Sequence, residues 1–362
     1  MEMKLNKKQV AAYRRRVFSV LSRRGFSLSG KDIAEIEKRI NNGRRYFFFV
    51  GRRKENKGSV KRFVKIPVND TARILLPFRR QIEFAIFFKK RGIIRTRGVV
   101  AFNYNPRRGV PFAVMETFPE RHARIGFIQD SRGAERLTRR EAKSTLQQLF
   151  RLHSLNVAML PPKLRRLLKK AEPGYEAFRK GIMRYLRKMV RPLDSRGKRE
   201  PFHRVLERRL AIRGIKMKVE DALMQAKPLI MANGNRRLTV VHGDLAPNNL
   251  YVFDSGEVEL LDLEWVGCFD NRAIALIYDF GNLRARAWNN SKFRQALDLE
   301  MLSIFRRRGE PELGAAIVKL ATIRSHLKLS GYFEDYPWPK QKKVIQRRRR
   351  ISTEKDLKKV LD

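Results

Sequence analysis

Acids and cysteine are the scarce residues of this chain, and each shortage excludes something. Only 36 Asp and Glu stand against 82 Lys and Arg, for a formal net charge of +46. The single cysteine, Cys268, rules out an internal disulfide and fits a reducing, cytoplasmic compartment. Its neighbours Gly267 and Phe269 offer no activating base, so it reads as an inert packed thiol. No apolar run reaches the roughly 18 residues that a membrane helix needs. The basic start, MEMKLNKKQVAAYRRR, has no apolar segment behind it, so neither a membrane span nor a secretory signal is expected. Internal repeats and long low-complexity tracts are missing as well.

With 362 residues and 43% apolar content, the chain can bury a large core and divide into two lobes. The positive charge admits two readings: a polyanionic partner such as nucleic acid, or a host whose proteins are generally basic. Basic runs at 14–16, 340–343 and 347–350 belong to the first reading.

Where the acids do gather is informative. Residues 239–282 hold eight acids (Asp244, Asp254, Glu257, Glu259, Asp262, Glu264, Asp270, Asp279) and one Lys or Arg, Arg272. A divalent metal site needs hard carboxylate oxygens free of competing ammonium groups. Within this segment His242, Asp244 and Asn249 lie on a Pro-containing turn, and Asp262 follows thirteen residues after Asn249. The flanks LTVV and VELLDL are β-like around a DSG turn. An acid, an amide and a second acid set on strand ends suit metal-assisted phosphoryl transfer.

The preceding chain supplies the other half of such a site. Helices are expected at 6–22 and 31–40, then a hairpin over 45–66 around the turn KENKG. Lys65 stands between Val64 and Ile66, and strand alternation turns it to the opposite face from both. Glu83, among Ile82, Phe84, Ile86 and Phe87 in a helix-like stretch, is the acid that can pair with Lys65 and aim it. Two strand-like runs, GIIRTRGVVAFNY and PFAVMETFP, lead to a crossover after Phe118. Beyond it the pattern is helical. A capping box, Thr138 with Glu141, opens a helix ending near His153. Further helices are expected at about 175–190, 202–213, 219–232, 291–308 and 312–330, with a short tail helix from Thr353.

The eight residues from His242 to Asn249 resemble the H-G-D-x-x-x-x-N catalytic loop of the aminoglycoside phosphotransferase and choline kinase family, in the protein-kinase-like superfamily. Leu261 to Trp265 is similar to that family's metal-binding segment, Tyr278-Asp279 to a downstream Asp, and Leu152-His153 to an earlier Leu-His pair. The resemblance covers most of 46–290. It implies an α+β, bilobal fold: a small β-rich lobe over 1–118, and a larger helical lobe over 119–362 that carries a catalytic β-hairpin. It also implies ATP-dependent phosphoryl transfer to a hydroxyl, with these roles. Asp244 accepts or orients the substrate proton, and Asn249 and Asp262 hold Mg²⁺. Lys65 contacts the phosphates and Glu83 positions it. Backbone groups of Glu116, Thr117 and Phe118 meet the adenine. His242 and Asp279 are structural, and Glu264 either supports the metal site, the preferred role, or is a second ligand to the metal. A glycine-rich phosphate loop is not recognisable; Gly43, Gly51 and Gly58 remain the candidates.

Outside 239–282 the chain is too basic to welcome a polycation, so the expected acceptor is a neutral or anionic alcohol (a sugar, sugar phosphate, lipid head group or nucleoside-like molecule), with an amino alcohol kept among the small-molecule acceptors. Two alternatives stand beside this: a catalytically weak kinase-like protein that binds nucleic acid or another polyanion, and a kinase acting on lipopolysaccharide or protein.

Overall fold

The computed structural model describes residues 15, 17–19, 21–27, 46–55, 58–67, 71–117, 126–127, 134–170, 174–189, 202–232, 238–334, 357 and 359–361. The expected helix at 31–40, the basic runs at 340–343 and 347–350, Gly43 and Phe118 lie outside them. Two compact units emerge: 1–123 with 259–266, and 124–258 with 267–362. The first unit therefore takes in a short late segment, which contains Asp262 and Glu264, that a single boundary at 118 leaves in the second.

The first unit is an antiparallel sheet with a helix. β1 (Phe26–Ser27), β2 (Tyr46–Glu55), β3 (Gly58–Pro67), β4 (Val99–Asn103) and β5 (Phe112–Glu116) lie in the order β1-β2-β3-β5-β4. β2 and β3 form a long hairpin in which Lys65 faces Phe48, and β3 sets Lys65 beside Ala113 of β5. Gly51 and Gly58, two candidate phosphate-loop glycines, are paired strand residues here. Val64 and Ile66 are buried as alternation requires, yet Lys65 on the other face is buried too. The sheet is thus covered at that point on both sides.

α1 (Ala72–Arg91) is a full helix with Pro77 inside it. Ile74, Phe78, Gln81, Ala85 and Phe88 recur at alternating steps of four and three and are buried, which is the apolar stripe of an amphipathic helix with one polar member. Its end is marked by Gly92 in the left-handed region, whose amide bonds back to Lys89, and by three cations in the last turn. Val17, Leu21, Val64, Ile66, Phe78, Ile82 and Val114 share one core.

The second unit is mostly helical. Its elements are β6 (Gly126–Phe127), α2 (Arg139–His153), α3 (Pro162–Leu167), β7 (Lys169–Lys170), α4 (Gly174–Met189), α5 (Phe202–Ala232), β8 (Thr239–Val241), β9 (Leu250–Val252), β10 (Val258–Leu260), β11 (Gly267–Phe269), α6 (Arg272–Arg286), α7 (Ser291–Arg307) and α8 (Pro311–Glu334). β10 begins in this unit, and its last two residues are grouped with the first. The capping box at Thr138 and Glu141 forms as expected. The helices expected at 202–213 and 219–232 are one continuous α5, with Pro228 inside it. α6 was not anticipated. It lies close against α8, where a Cβ on Gly281 would stand 2.9 Å from the Ala321 carbonyl oxygen, so only glycine permits the approach. No helix among the described residues is long and apolar enough to cross a membrane.

Candidate active site

In the first unit, Lys65 is the centre of a buried polar cluster. Its ammonium donates to Gln81 Oε1 at 2.5 Å and to Asp262 Oδ1 at 3.0 Å, with Glu264 Oε1 at 3.7 Å. It also sits 4.1 Å from the centre of the Tyr46 ring, a cation–π arrangement. The Tyr46 hydroxyl donates to Glu264 Oε2 at 2.9 Å, and Arg80 donates to the Glu264 carbonyl at 2.7 Å. Strand, helix and the late 259–266 segment each contribute a fixed group. Burial pulls the Lys65 ammonium toward neutrality, but the Asp262 and Glu264 charges outweigh it and hold it above the ordinary lysine value. Burial also pushes the Glu264 carboxyl up; Lys65 opposes that, and the like charge and hydrogen bond of Asp262 add to it.

Asp262 is also the one non-glycine residue with positive φ among the described residues, at φ 58 and ψ 58. A left-handed Asp carries local strain, of the kind that collects at functional sites. It turns the chain sharply between β10 and the short 3₁₀ turn Leu263–Trp265, which places the Asp262 and Glu264 carboxyls beside one ammonium. Lys65, from outside the acidic segment, is an ammonium that competes for these oxygens, yet two acids against one cation leave hard oxygens with an excess of negative charge, which a divalent cation fits. The Asp262 side chain is one-third exposed, so an oxygen ligand there is within reach of solvent.

The structure corrects the expected partner of Lys65. Gln81 makes the contact, whereas Glu83 accepts from the Tyr104 hydroxyl at 2.8 Å. Two residues along a helix rotate by about 200°, so 81 and 83 point to nearly opposite sides. Gln81 lies on the buried stripe; Glu83 does not. A polar residue at a stripe position was the signal available in the sequence.

Glu116 ends β5. Its amide donates to the Gly98 carbonyl at 3.0 Å, and its carboxylate pairs with Lys89 and accepts from the Gly98 amide. The amide is thus committed within the unit. The Thr117 hydroxyl donates to the Lys61 carbonyl at 2.8 Å.

In the second unit, the loop after β8 is built around a buried carboxylate. Asp279 of α6 has no solvent exposure. Its Oδ2 accepts from the His242 amide at 2.8 Å and meets His153 Nε2 at 2.9 Å, while Oδ1 accepts from the Gly243 amide at 2.9 Å. Burial alone would raise this carboxyl. The His153 bond and charge, together with the charge and amide of His242, overcome that and hold it below the usual carboxylate range. Gly243 takes φ +83°, a conformation that suits glycine and lets both amides face the same acid.

Asp244 follows this brace. Its amide donates to His242 Nδ1 at 3.4 Å, and its carbonyl accepts from Asn249 Nδ2 at 2.8 Å. His242 is fully buried and belongs to the scaffold of the loop. Only the carboxylate of Asp244 faces outward, with Oδ1 accepting from Arg286 Nη2 at 2.8 Å. Arg286 went unnoticed in the sequence, although it stands seven residues after Asp279, two turns along the same face of α6. A carboxylate whose backbone is fixed on both sides while its side chain stays partly exposed can accept a proton from a bound hydroxyl.

A family model described as the phosphotransferase enzyme family matches residues 47–318. No curated protein matches the chain. Among solved structures, an aminoglycoside phosphotransferase from Alicyclobacillus acidocaldarius is 13% identical, with 88% of this chain and 92% of that one covered at a TM-score of 0.52. A microcompartment-associated aminopropanol kinase is 11% identical, with 87% and 93% covered at a TM-score of 0.53. At these identities the likeness is one of fold: a small sheet-based lobe and a larger helical lobe, as in protein-kinase-like phosphotransferases.

Proposed function

The chain belongs to the phosphotransferase enzyme family, and from that premise we propose that it moves the γ-phosphoryl group of ATP to a hydroxyl of a small molecule, with Mg²⁺ as cofactor. The observation that carries this reading is the presentation of Asp244: a backbone locked by His242 and Asn249, and a carboxylate left toward solvent. In the proposed step the acceptor oxygen bonds to the γ-phosphorus, its proton passes to Asp244, and the β,γ-bridging oxygen departs with ADP. Little covalent chemistry is asked of the protein, so position and charge are its contribution.

Lys65 would hold phosphate oxygens with an ammonium already fixed by Gln81 and Asp262. Asp262 and the carbonyl oxygen of the Asn249 side chain would hold Mg²⁺, which when bound neutralises charge on the phosphates. Among the described residues no three His, Cys, Asp or Glu side chains gather as a metal cluster. Mg²⁺ needs none, because it takes one or two protein oxygens together with phosphate and water. Glu264, tied to Tyr46 and Arg80, would keep Asp262 and Lys65 in register. Glu116 and Thr117, with Phe118 beyond them, would lie along the adenine, Glu116 through its carbonyl. Glu83 is assigned no part at Lys65. A single buried cysteine fits the cytoplasm, where ATP is at hand.

The test is Mg-ATP-dependent phosphorylation across a panel of alcohols, wild type beside Asp244→Ala. Loss of general-base assistance is expected to lower transfer by about 10²–10⁴-fold. A thermal shift with Mg-ATP checks that the nucleotide binds the folded chain. Equal transfer by the two proteins would remove Asp244 from the mechanism.

A further inference from the structure

The second unit carries three arginines at the end of α6 and the start of α7, and their commitments differ. Arg284 donates through Nε and Nη2 to Asp298 at 2.8 to 3.1 Å. Arg294 donates to the Ala287 carbonyl at 3.4 Å and to that of Trp288. Both are tied to the frame of the helix pair. Arg286 is not: among the described residues it makes one hydrogen bond, to Asp244 Oδ1, and its side chain is 35% exposed.

A guanidinium carries five N–H donors in a planar fork. One is engaged with Asp244, so Arg286 keeps further donors at the partly open face where Asp244 also lies. The carboxylate is likewise half engaged, with Oδ1 on Arg286 and no hydrogen bond to Oδ2 among the described residues. A hydroxyl that reaches Oδ2 therefore arrives with its neighbouring substituents beside a fixed positive charge. An ammonium on the acceptor would meet a like charge there. A carboxylate or phosphate would meet an unfilled fork whose geometry favours paired N–H···O bonds.

The placement of this charge is not a matter of surface drift. Arg286 is two helical turns from Asp279, which fixes the His242 and Gly243 amides next to Asp244. One helix face thus sets both the loop and the cation that faces its acid.

We propose that Arg286 determines acceptor charge: the alcohol phosphorylated at Asp244 carries an oxyanion group, carboxylate or phosphate, which the guanidinium receives beside the catalytic carboxylate. This rests on the assignment of Asp244 above and deepens it by naming the acceptor class. Arg286 selects and positions; the proton is taken by Asp244.

The experiment uses the full chain with Mg-ATP and two matched acceptor sets: glucose, glucosamine, gluconate and glucose 6-phosphate; and glycerol, 3-amino-1,2-propanediol, glycerate and glycerol 3-phosphate. Wild type is expected to phosphorylate an anionic member best, with KM at least tenfold below that of its aminated counterpart. Arg286→Gln is expected to raise KM for the anionic member tenfold or more, to change kcat less, and to erase the preference. Arg286→Lys keeps the charge without the fork and is expected to recover part of the preference, which separates selection from a structural role. Preference of the wild type for the aminated members overturns the proposal, and that comparison stands even if a variant does not fold. An Arg286→Gln protein that slows all acceptors alike also overturns it, as does failure to phosphorylate any anionic member. Transfer in the wrong order sinks only this proposal. Absence of both transfer and a Mg-ATP thermal shift sinks the phosphotransferase reading beneath it.

Discussion

Lys65 is held through its charge, and Asp244 is held through its backbone. The Lys65 ammonium is pinned by Gln81, Asp262 and Glu264 in a buried cluster, so each partner there matters electrostatically to the others. The Asp244 loop is pinned by amides that end on Asp279 and by a side-chain amide on its own carbonyl. Among the described residues its carboxylate carries a single hydrogen bond, to Arg286. A group held by its charge is rigid but already paired. A group held by its backbone keeps its side-chain chemistry available. The first suits a fixed contact for phosphate; the second suits an acid that must gain and release a proton.

The largest effect that tests this contrast is expected at Asp279. Asp279→Ala removes the acceptor of two amides and His153 in a fully buried setting, and breaking such a pair costs about 3–5 kcal/mol. Chemical denaturation measures it, and a cost near zero would mean the loop is anchored elsewhere. Next is Lys65→Met. Losing a charge-assisted contact to phosphate, worth about 1.5–3 kcal/mol, should weaken Mg-ATP binding roughly tenfold to a hundredfold. Smaller again is the difference between Gln81→Ala and Glu83→Ala. The first is expected to weaken nucleotide binding several-fold and the second to leave it unchanged, since Gln81 accepts from Lys65 while Glu83 accepts from Tyr104. Equal effects would dissolve the assignment of Gln81.

The smallest effects are in pH dependence, and they run in opposite directions in the two units. Glu259 of the first unit is pushed up from 4.5 to about 7 by burial, which Arg97, Lys89 and Arg95 only partly offset and Glu116 reinforces. The folded state binds this proton more tightly than the unfolded chain, so the contribution is full below about pH 4.5 and is lost as pH rises through about 7. His326 of the second unit is pushed down from 6.5 to about 3 by burial and by the charges of Arg284 and Arg294. Here the unfolded chain binds the proton more tightly. Its contribution is full above about pH 6.5 and is lost as pH falls toward 3. Relative to the parent, Glu259→Gln should therefore have a higher Tm at pH 8 than at pH 5, and His326→Gln a higher Tm at pH 5 than at pH 8. Offsets that do not change with pH would contradict both.

The sequence made some of this legible and hid the rest for physical reasons. His242 to Asn249 and Leu261 to Trp265 stood out because their chemistry is carried by side chains at fixed spacing on one short segment. The capping box of α2 was equally local. Gln81 was missed because a charged pair was sought for Lys65, and Glu83 is the one acid between Asp70 and Glu116. The helical stripe through Ile74, Phe78 and Ala85 points to 81 and not to 83. Arg286 was lost among 82 cations; only the i+7 relation to Asp279 singles it out. The left-handed backbone of Asp262 has no sequence signal, since it is imposed by the surroundings on a residue that does not favour it. The continuity of α5 was hidden because Gly214 lies in the gap between the two expected helices, where glycine lowers helix propensity without ending the helix.

The most direct test measures Mg-ATP affinity and phosphoryl transfer in the same preparations of wild type, Lys65→Met and Asp244→Asn. The account predicts a clean partition: Lys65→Met loses nucleotide affinity, while Asp244→Asn keeps it and loses about 10²–10⁴-fold in transfer. An Asp244→Asn protein that transfers phosphate at the wild-type rate, or a Lys65→Met protein that binds Mg-ATP as tightly as wild type, would contradict it.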